Sequence, residues 1–242
     1  MKLIKTEDYQ ELSKKGAELL MKEIKELEQP TIGLATGSTP EGLYKELIKY
    51  HQEENYSFKN VKSFNLDEYI GLAEEDENSY HYYMNDKLFN HIDIPLKQAY
   101  VPDGMAKDLD LECSSYEERI EKSGGIDIQL LGLGVNGHIG FNEPGTSFDS
   151  RTQVITLDKS TRNANAHFFS SGGEVPAQAI SMGIQTIMDT KKIILLVSGK
   201  NKAHALKELL NREITEEFPA TILHKHNDVT VIADEDALSE LE

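Results

Sequence analysis

The sequence predicts an α/β fold in a single domain: an open, doubly wound, mostly parallel β-sheet flanked by helices, of the Rossmann-like kind. Apolar runs of strand length alternate along the chain with amphipathic segments of helical period, which is the pattern of βαβ units. Glycine-containing or polar turns directly follow several of these runs, as at the carboxyl ends of parallel strands. The 242 residues suit one sizeable domain, which we place over 1–242.

Local patterns place the elements in order. An apolar stripe at helical spacing predicts a first helix over about 9–27. Pro30 ends it, a buried strand over 31–35 follows, and Pro40 fits the first turn of a helix that runs to about residue 50. Further strands are predicted over 61–66, 99–101, 126–131, 152–157, 193–197 and 229–233. Further helices are predicted over 79–89, 109–121, 176–188 and 202–210, and the polar stretch 160–174 is expected to be mobile.

The composition limits the class of protein. A formal net charge of −17 argues against a nucleic-acid partner, so an anionic ligand would be held by a helix N-terminus or by a few placed cations. We expect no membrane partner, because no apolar run reaches the roughly 18 residues of a membrane span. The single cysteine, Cys113, cannot form an intrachain disulfide, and no signal peptide is recognisable, so we expect a cytoplasmic location.

The first candidate site is the segment Ala35-Thr36-Gly37-Ser38-Thr39-Pro40, which combines a strand end, a glycine turn, two hydroxyl side chains and a helix start. Backbone N–H groups and the helix dipole favour an anion at such a place. The Gly-Lys-Ser/Thr ending of a triphosphate-binding loop is absent, which favours a monophosphate. The alternative is an ordinary helix start capped by Ser38 or Thr39.

Asp67 and Glu68 follow an apolar strand end directly. A carboxylate beside apolar residues can have a raised pKa and act as a base. Because neighbouring residues of a strand point to opposite faces, we expect only one of the two to face the site. The alternative is a solvated or helix-capping pair.

The richest segment is 131–144, whose four glycines and one proline exclude a regular helix and let the backbone wrap closely around a small ligand. Asn136, His138, Asn142 and Glu143 lie within it. A histidine with a carboxylate nearby is a usual acid–base pair, since the carboxylate fixes the tautomer and supports the imidazolium. We therefore interpret the segment as a catalytic loop.

The same segment matches a dinucleotide-binding fingerprint at Gly132, Gly134 and Gly137, with Asp158 at a suitable distance downstream. That fingerprint should open a helix, whereas Gly140, Pro144 and Gly145 follow at once. We therefore do not expect a nicotinamide cofactor.

Arg162, Lys200 and Lys202 are candidate cations for an anionic ligand. Lys202 begins a predicted helix, where the dipole disfavours a cation, so a ligand role competes with that of a solvated lysine. The other histidines show no metal-ligand spacing, and no metal or other cofactor is expected. We expect Tyr80, Tyr82 and Tyr83 to pack on a helix face.

Taken together, 34–40, 65–69 and 134–144 resemble the glucosamine-6-phosphate deaminase family. The likeness spans nearly the whole chain, and its most specific part is the string Gly137-His138-Ile139-Gly140-Phe141-Asn142-Glu143-Pro144. The resemblance implies an enzyme of amino-sugar catabolism that converts glucosamine 6-phosphate and water into fructose 6-phosphate and ammonia without a cofactor. It also implies a mobile lid segment at about 160–182.

The resemblance also implies roles for single residues. Asp67 occupies the position of the general base that moves a proton between carbon 2 and carbon 1, and His138 that of the acid/base that opens the sugar ring. Asn136 and Glu143 match the residues that assist His138. Some relatives have Asp at 136; because Asn bears no charge, we expect Glu143 to be the main electrostatic partner. The implied phosphate pocket comprises Gly37, Ser38, Thr39 and Lys202.

One position departs from the family pattern. The family's phosphate site also uses an Arg from the lid, and at the aligned position this chain has His167, with Arg162 one turn away. We expect a phosphate affinity that is weaker, or that depends on pH as His167 titrates.

Two other functions compete. A 6-phosphogluconolactonase would share the fold and a related glycine-rich loop, but it would need no base at Asp67 and lacks the Phe-Asn-Glu-Pro run. A non-catalytic sugar-phosphate sensor belongs to another class, and no helix-turn-helix segment or basic stretch accompanies this domain. Self-association remains open.

Overall fold

The computed structural model describes residues 1–166, 169 and 174–241. Its strands are β1 (Lys2–Thr6), β2 (Thr31–Leu34), β3 (Lys62–Asn65), β4 (Asp67–Tyr69), β5 (Ala99–Tyr100), β6 (Ile128–Gly132), β7 (Gln153–Thr156), β8 (Gln178–Ser181), β9 (Lys192–Val197) and β10 (Val229–Asp234). Its α-helices are α1 (Tyr9–Glu26), α2 (Glu41–Gln52), α3 (Tyr80–Lys87), α4 (Leu109–Lys122), α5 (Lys159–Asn165), α6 (Ile184–Met188), α7 (Ala203–Asn211) and α8 (Glu235–Leu238).

The main sheet has seven strands in the order β1-β10-β9-β6-β2-β3-β5, and every neighbouring pair is parallel. The chain builds β2, β3 and β5 in one direction and then adds β6 on the other side of β2. The strand order therefore reverses between β2 and β6, and open α/β sheets bind ligands in the crevice at such a reversal. The predicted doubly wound, mostly parallel fold is confirmed.

Apolar side chains cover both faces of this sheet and hold the strand ends in place. One face packs against α1 and α2, and its buried residues include Leu12, Leu20, Ile24, Leu43 and Leu47. The other packs against α4, α6 and α7, and its buried residues include Ile120, Ile187, Leu206 and Leu209. In the described ranges, no helix combines the length and apolar character needed to cross a membrane.

A second, three-stranded sheet lies next to the reversal point, in the order β4-β8-β7, with antiparallel pairing. Only Leu66 separates β4 from β3. Asp67 of β4 is in register with Ser181 of β8, so the predicted base stands on a paired strand. A small apolar cluster that includes Tyr69, Phe141 and Phe169 packs beside this sheet.

The structure corrects several predicted elements. The helix predicted over 176–188 is wrong: residues 178–181 form β8 and only 184–188 are helical. The cause is tertiary, since Ala179 and Ile180 are drawn into pairing with β4 and β7 and are fully buried. Strand β1 was not predicted, and it pairs with β10 at the sheet edge.

Helix α5 covers the first part of the polar stretch 160–174, which was expected to be mobile. The glycine pair Gly172-Gly173, on which that expectation partly rested, lies outside the described residues. The predicted lid range, 160–182, also takes in β8, which is hydrogen-bonded on both sides within the second sheet.

Candidate active site

A cavity of about 470 Å³ opens at the reversal point, between the carboxyl ends of β2 and β6. Its wall includes Gly37, Ser38, Thr39, Asp67, Asn136, His138 and Lys202. Two loops, strand β4 and a short 3₁₀ helix (Lys200–Lys202) thus bring most of the predicted site residues together. Another cavity, beside α4, is lined by Glu117, Arg151 and Asp189, and there Arg151 forms ion pairs with both carboxylates. That cavity contains none of the predicted site residues.

Asp67 faces the cavity from β4 and is only 5% exposed. Burial raises the pKa of its carboxyl to about 8, and the nearby charge of Glu68 adds to the rise. The backbone of the histidine loop comes close, since a Cβ at Gly140 would lie 3.8 Å from Oδ2 of Asp67. Asp67 is therefore a buried carboxyl group that keeps its proton to a higher pH than an exposed one, and it lies next to the histidine loop.

Glu68 points to the other side of β4 and caps helix α3. Its carboxylate accepts hydrogen bonds from the backbone N–H groups of Tyr69, Tyr80 and His81, at 2.8, 2.9 and 3.0 Å. Its Oε2 also lies 3.1 Å from Nδ1 of His81. The two carboxylates therefore point to opposite sides, as expected. Asp67 faces the cavity, whereas Glu68 binds the first N–H groups of a helix, which was the alternative for the pair.

Hydrogen bonds link the side chains of His138, Asn136 and Glu143 in a chain, here called the histidine relay. Nδ1 of His138 lies 2.7 Å from Oδ1 of Asn136, and Nδ2 of Asn136 donates to Oε2 of Glu143 at 2.8 Å. The Glu143 carboxylate fixes the orientation of the amide, because a carboxylate can only accept. Oδ1 of Asn136 must then accept from His138, so Nδ1 carries the proton and Nε2 is free to exchange one with a ligand. The hydroxyl of Thr161, on α5, donates to the other oxygen of Glu143.

In this relay, the residue that contacts His138 is not the residue that carries the charge. Asn136 makes the direct hydrogen bond, whereas Oε2 of Glu143 lies 3.7 Å from Nδ1 of His138. Burial lowers the pKa of His138, the charge of Glu143 opposes that effect, and Lys202 adds to it. Glu143 is thus the charged partner, as expected, but it acts from behind Asn136.

Glycines shape the histidine loop. A Cβ at Gly134 would lie 2.3 Å from Nδ1 of His138, so the imidazole ring occupies the space of a side chain. Gly137 has a φ of +83°, in the left-handed region that favours glycine. After β6 the chain forms turns and an isolated bridge between Ile139 and Asn142, and no helix begins there. The fingerprint of Gly132, Gly134 and Gly137 therefore lacks the helix that it would require.

The predicted phosphate loop occupies the opposite wall. Gly37 has a φ of +94°, and α2 begins just beyond the loop at Glu41, so the helix N-terminus is close to the cavity. Lys202 reaches the cavity from the end of the 3₁₀ helix, and burial lowers its pKa. A partly buried amine beside a helix N-terminus is suited to an anionic ligand.

One predicted residue, Arg162, is not brought to this loop. Nε of Arg162 donates to the backbone carbonyl of Val175 at 3.0 Å, and among the described residues Arg162 does not line the cavity. It therefore does not compensate for the missing lid arginine in this arrangement. His167 lies outside the described residues.

The sequence did not reveal the aromatic wall or the part played by α5. Tyr80 and Tyr83, expected only to pack on a helix face, line the cavity. Thr161 and Asn165 of α5 line it too, and Nδ2 of Asn165 donates to the hydroxyl of Tyr69 at 3.0 Å. The only available signal was their i, i+4 spacing, which places both on one face of a helix that the polar composition did not predict.

Known proteins with this fold define a broad class. The family model described as glucosamine-6-phosphate isomerases/6-phosphogluconolactonase matches residues 5–232. A solved 6-phosphogluconolactonase from Trypanosoma cruzi covers 99% of the chain at a TM-score of 0.76, but at 23% identity it shows likeness of fold alone.

Similarity to one branch of that class is much higher. Glucosamine-6-phosphate deaminase of Oceanobacillus iheyensis is 60% identical over 241 residues, covering 100% of this chain and 96% of the relative. Glucosamine-6-phosphate deaminase 1 of Bacillus subtilis is 54% identical, covering 99% of both chains. The solved structure of a monomeric glucosamine-6-phosphate deaminase superposes with a TM-score of 0.97 at 54% identity, covering 99% of both chains. The chain belongs to the glucosamine-6-phosphate deaminase family.

Proposed function

We propose that the protein converts glucosamine 6-phosphate and water into fructose 6-phosphate and ammonia. The observation that carries this proposal is the convergence of Asp67 and His138, from separate elements, on one cavity beside a phosphate-binding loop. A hexose phosphate in that cavity would have its phosphate at Gly37–Thr39 and its carbons between the two proton-transfer groups. Relatives of this chain at 54–60% identity are named glucosamine-6-phosphate deaminase.

The first step is ring opening. Nε2 of His138 takes the proton of the carbon 1 hydroxyl and delivers it to the ring oxygen while the bond between that oxygen and carbon 1 breaks, leaving an open-chain aldehyde. The relay through Asn136 to Glu143 holds the imidazole in the required tautomer and supports its positive charge. Burial lowers the pKa of His138, which favours the neutral form at the start of the cycle.

The second step is isomerisation. Asp67 in its carboxylate form removes the proton from carbon 2 and returns it to carbon 1, while a proton passes from the amino nitrogen to the oxygen on carbon 1, which gives an imine at carbon 2. Water then adds to the imine carbon and ammonia leaves, so fructose 6-phosphate is formed and atoms balance. The raised pKa of Asp67, about 8, matches a group that both takes and gives a proton near neutral pH.

The phosphate would be held by the helix N-terminus, by the hydroxyls of Ser38 and Thr39, and by the ammonium of Lys202. In a chain of net charge −17, this local arrangement must overcome a field that repels anions.

Further properties belong to the same proposal. Water replaces an amine, so the reaction falls in the hydrolase class, and both proton transfers use side chains, so it requires no cofactor. The single cysteine supports a cytoplasmic location. We also propose that part of 160–182 acts as a lid, which the contacts of α5 with the cavity support.

Ammonia release from glucosamine 6-phosphate tests the function. We expect wild type to release ammonia, and Asp67→Asn to lose about 100- to 10,000-fold in kcat with binding retained. Asp149→Asn, an exposed carboxylate outside the cavity, is the matched control. A wild type that binds the sugar phosphate but releases no ammonia would favour a sensor, and one that instead hydrolyses 6-phosphogluconolactone would favour the lactonase.

A further inference from the structure

Three tyrosines from three helices bind the backbone carbonyls of the phosphate loop. The hydroxyl of Tyr44, on α2, donates to the carbonyl of Ala35. That of Tyr83, on α3, donates to Gly37 at 2.6 Å, and that of Tyr9, on α1, donates to Ser38 at 2.9 Å. These side chains come from distant parts of the sequence, so the fold directs three phenol groups at one short loop.

Each of these bonds also fixes the direction of an N–H group. In a trans peptide the carbonyl of one residue and the N–H of the next point in opposite directions within one plane. A hydrogen bond at the carbonyl of Gly37 therefore orients the N–H of Ser38, and one at Ser38 orients the N–H of Thr39. In the part of the chain that the structure describes, neither N–H donates to a protein acceptor, although both residues line the cavity.

Tyr9 makes a second contact that ties the loop to α2. Its oxygen accepts the N–H of Gly42 at 2.8 Å while its proton goes to Ser38. A Cβ at Gly42 would lie 2.1 Å from Oγ of Ser13 and 3.0 Å from the hydroxyl of Tyr9, so glycine is required for this approach of α1 to α2. Tyr9 does not line the cavity and can act on a ligand only through the loop.

The hydroxyls of Tyr44 and Tyr83 remain donors across the usual pH range. Burial raises the pKa of Tyr44 and Tyr83 well above its ordinary value. A protonated phenol with a fixed carbonyl partner keeps its peptide plane from rotating, which would otherwise present a carbonyl oxygen to the phosphate and repel it.

We propose that Tyr9 and Tyr83 are positioning residues for the substrate phosphate, which hold the loop carbonyls so that the N–H groups of Ser38 and Thr39 are oriented for the anion. The proposal deepens the proposed function, on which it rests for the identity of the phosphate ester. The binding of inorganic phosphate tests it without turnover.

The experiment compares Tyr9→Phe, Tyr83→Phe and the double variant with wild type. Phe keeps the ring and removes only the hydroxyl. Calorimetric titration with inorganic phosphate should show a Kd raised about threefold to tenfold for each variant, and KM for glucosamine 6-phosphate should rise in parallel while kcat changes less than about twofold. Tyr82→Phe is the control, because Tyr82 is 39% exposed on the same helix.

The outcome at Tyr9 decides between positioning and direct contact, since Tyr83 lines the cavity and Tyr9 does not. If Tyr9→Phe binds phosphate as wild type does, or lowers Tm without changing Kd, the proposal is overturned. Failure of wild type to bind phosphate overturns it as well. A wild type that binds phosphate but releases no ammonia contradicts the proposed function alone, and the Kd ratios still test the tyrosines.

Discussion

Asp67 and Glu68 are consecutive residues of β4, yet their carboxylates lie in opposite surroundings. Asp67 faces the cavity, whereas Glu68 is 1% exposed and accepts backbone N–H bonds at the start of α3. The charge of Glu68 reaches Asp67 and raises its pKa further. Glu68 thus fixes the start of α3, which lines the cavity, and it also raises the pKa of Asp67.

We expect Glu68→Gln to lower the pKa of Asp67, because the amide removes the negative charge that opposes ionisation. The acid limb of kcat/KM against pH reports the base of the free enzyme, so it should move to lower pH. An unchanged limb, in a variant whose circular dichroism shows an intact fold, would contradict the assigned coupling.

Asp67 should also make stability depend on pH. The pKa of its carboxyl is about 8 in the folded state and near 3.8 in the unfolded state, so the folded state holds the proton more tightly. Wild type should therefore lose stability as pH rises from about 4 to about 8, with the full loss above that range.

Asp67→Asn has no proton to lose and should escape this effect. We expect its Tm relative to wild type to increase with pH, and at pH 9 to exceed that of wild type by at least about 2–4 °C, which corresponds to about 1 kcal/mol. Thermal unfolding at pH 5, 7 and 9 measures the trend. A Tm difference that is constant with pH would show that Asp67 titrates normally.

Glu143→Gln tests the charge at the end of the histidine relay. The amide can still accept from Asn136 and contact Thr161, but it no longer supports the imidazolium. We expect the pKa of His138 to fall and kcat/KM to decrease about 10- to 100-fold. NMR titration of the His138 ring measures the first effect. A pKa that stays the same would mean that Asn136 alone governs the ring.

Thr161 offers a test of the contact between α5 and the relay. Thr161→Val keeps the shape of the side chain but leaves Glu143 without one donor, so we expect kcat to fall about tenfold with little change in KM. Thr161→Ser retains the hydroxyl and should be close to wild type. Equal losses in both variants would indicate a packing role.

The sequence predicted those parts of the molecule that depend on local pattern. The strands of the main sheet that follow β1 and the turns after them could be predicted, because buried parallel strands are continuous apolar runs that end in distinctive residues. Asp67, Asn136 and His138 were predicted as members of one site for the same reason.

The remaining features depend on contacts between distant residues. Strand β8 resembled a helix because its pairing with β4 is not visible in 176–188 alone. Tyr9, Tyr44 and Tyr83 are ordinary helix residues by pattern, and only the packing of three helices brings their hydroxyls to one loop. Arg162 fits the composition of a phosphate site, yet its guanidinium is bound to the carbonyl of Val175.

The His138 ring packs directly against Gly134, so this glycine is needed to make room for the ring. Glycine spacing of this kind usually lets a nucleotide pyrophosphate approach the backbone. Here the space left by the missing side chain of Gly134 is filled by the imidazole ring of His138. Any larger residue at 134 would displace the His138 ring. We therefore expect substitutions at Val135, which is 52% exposed at the tip of the loop, to be tolerated better than substitutions at Gly134.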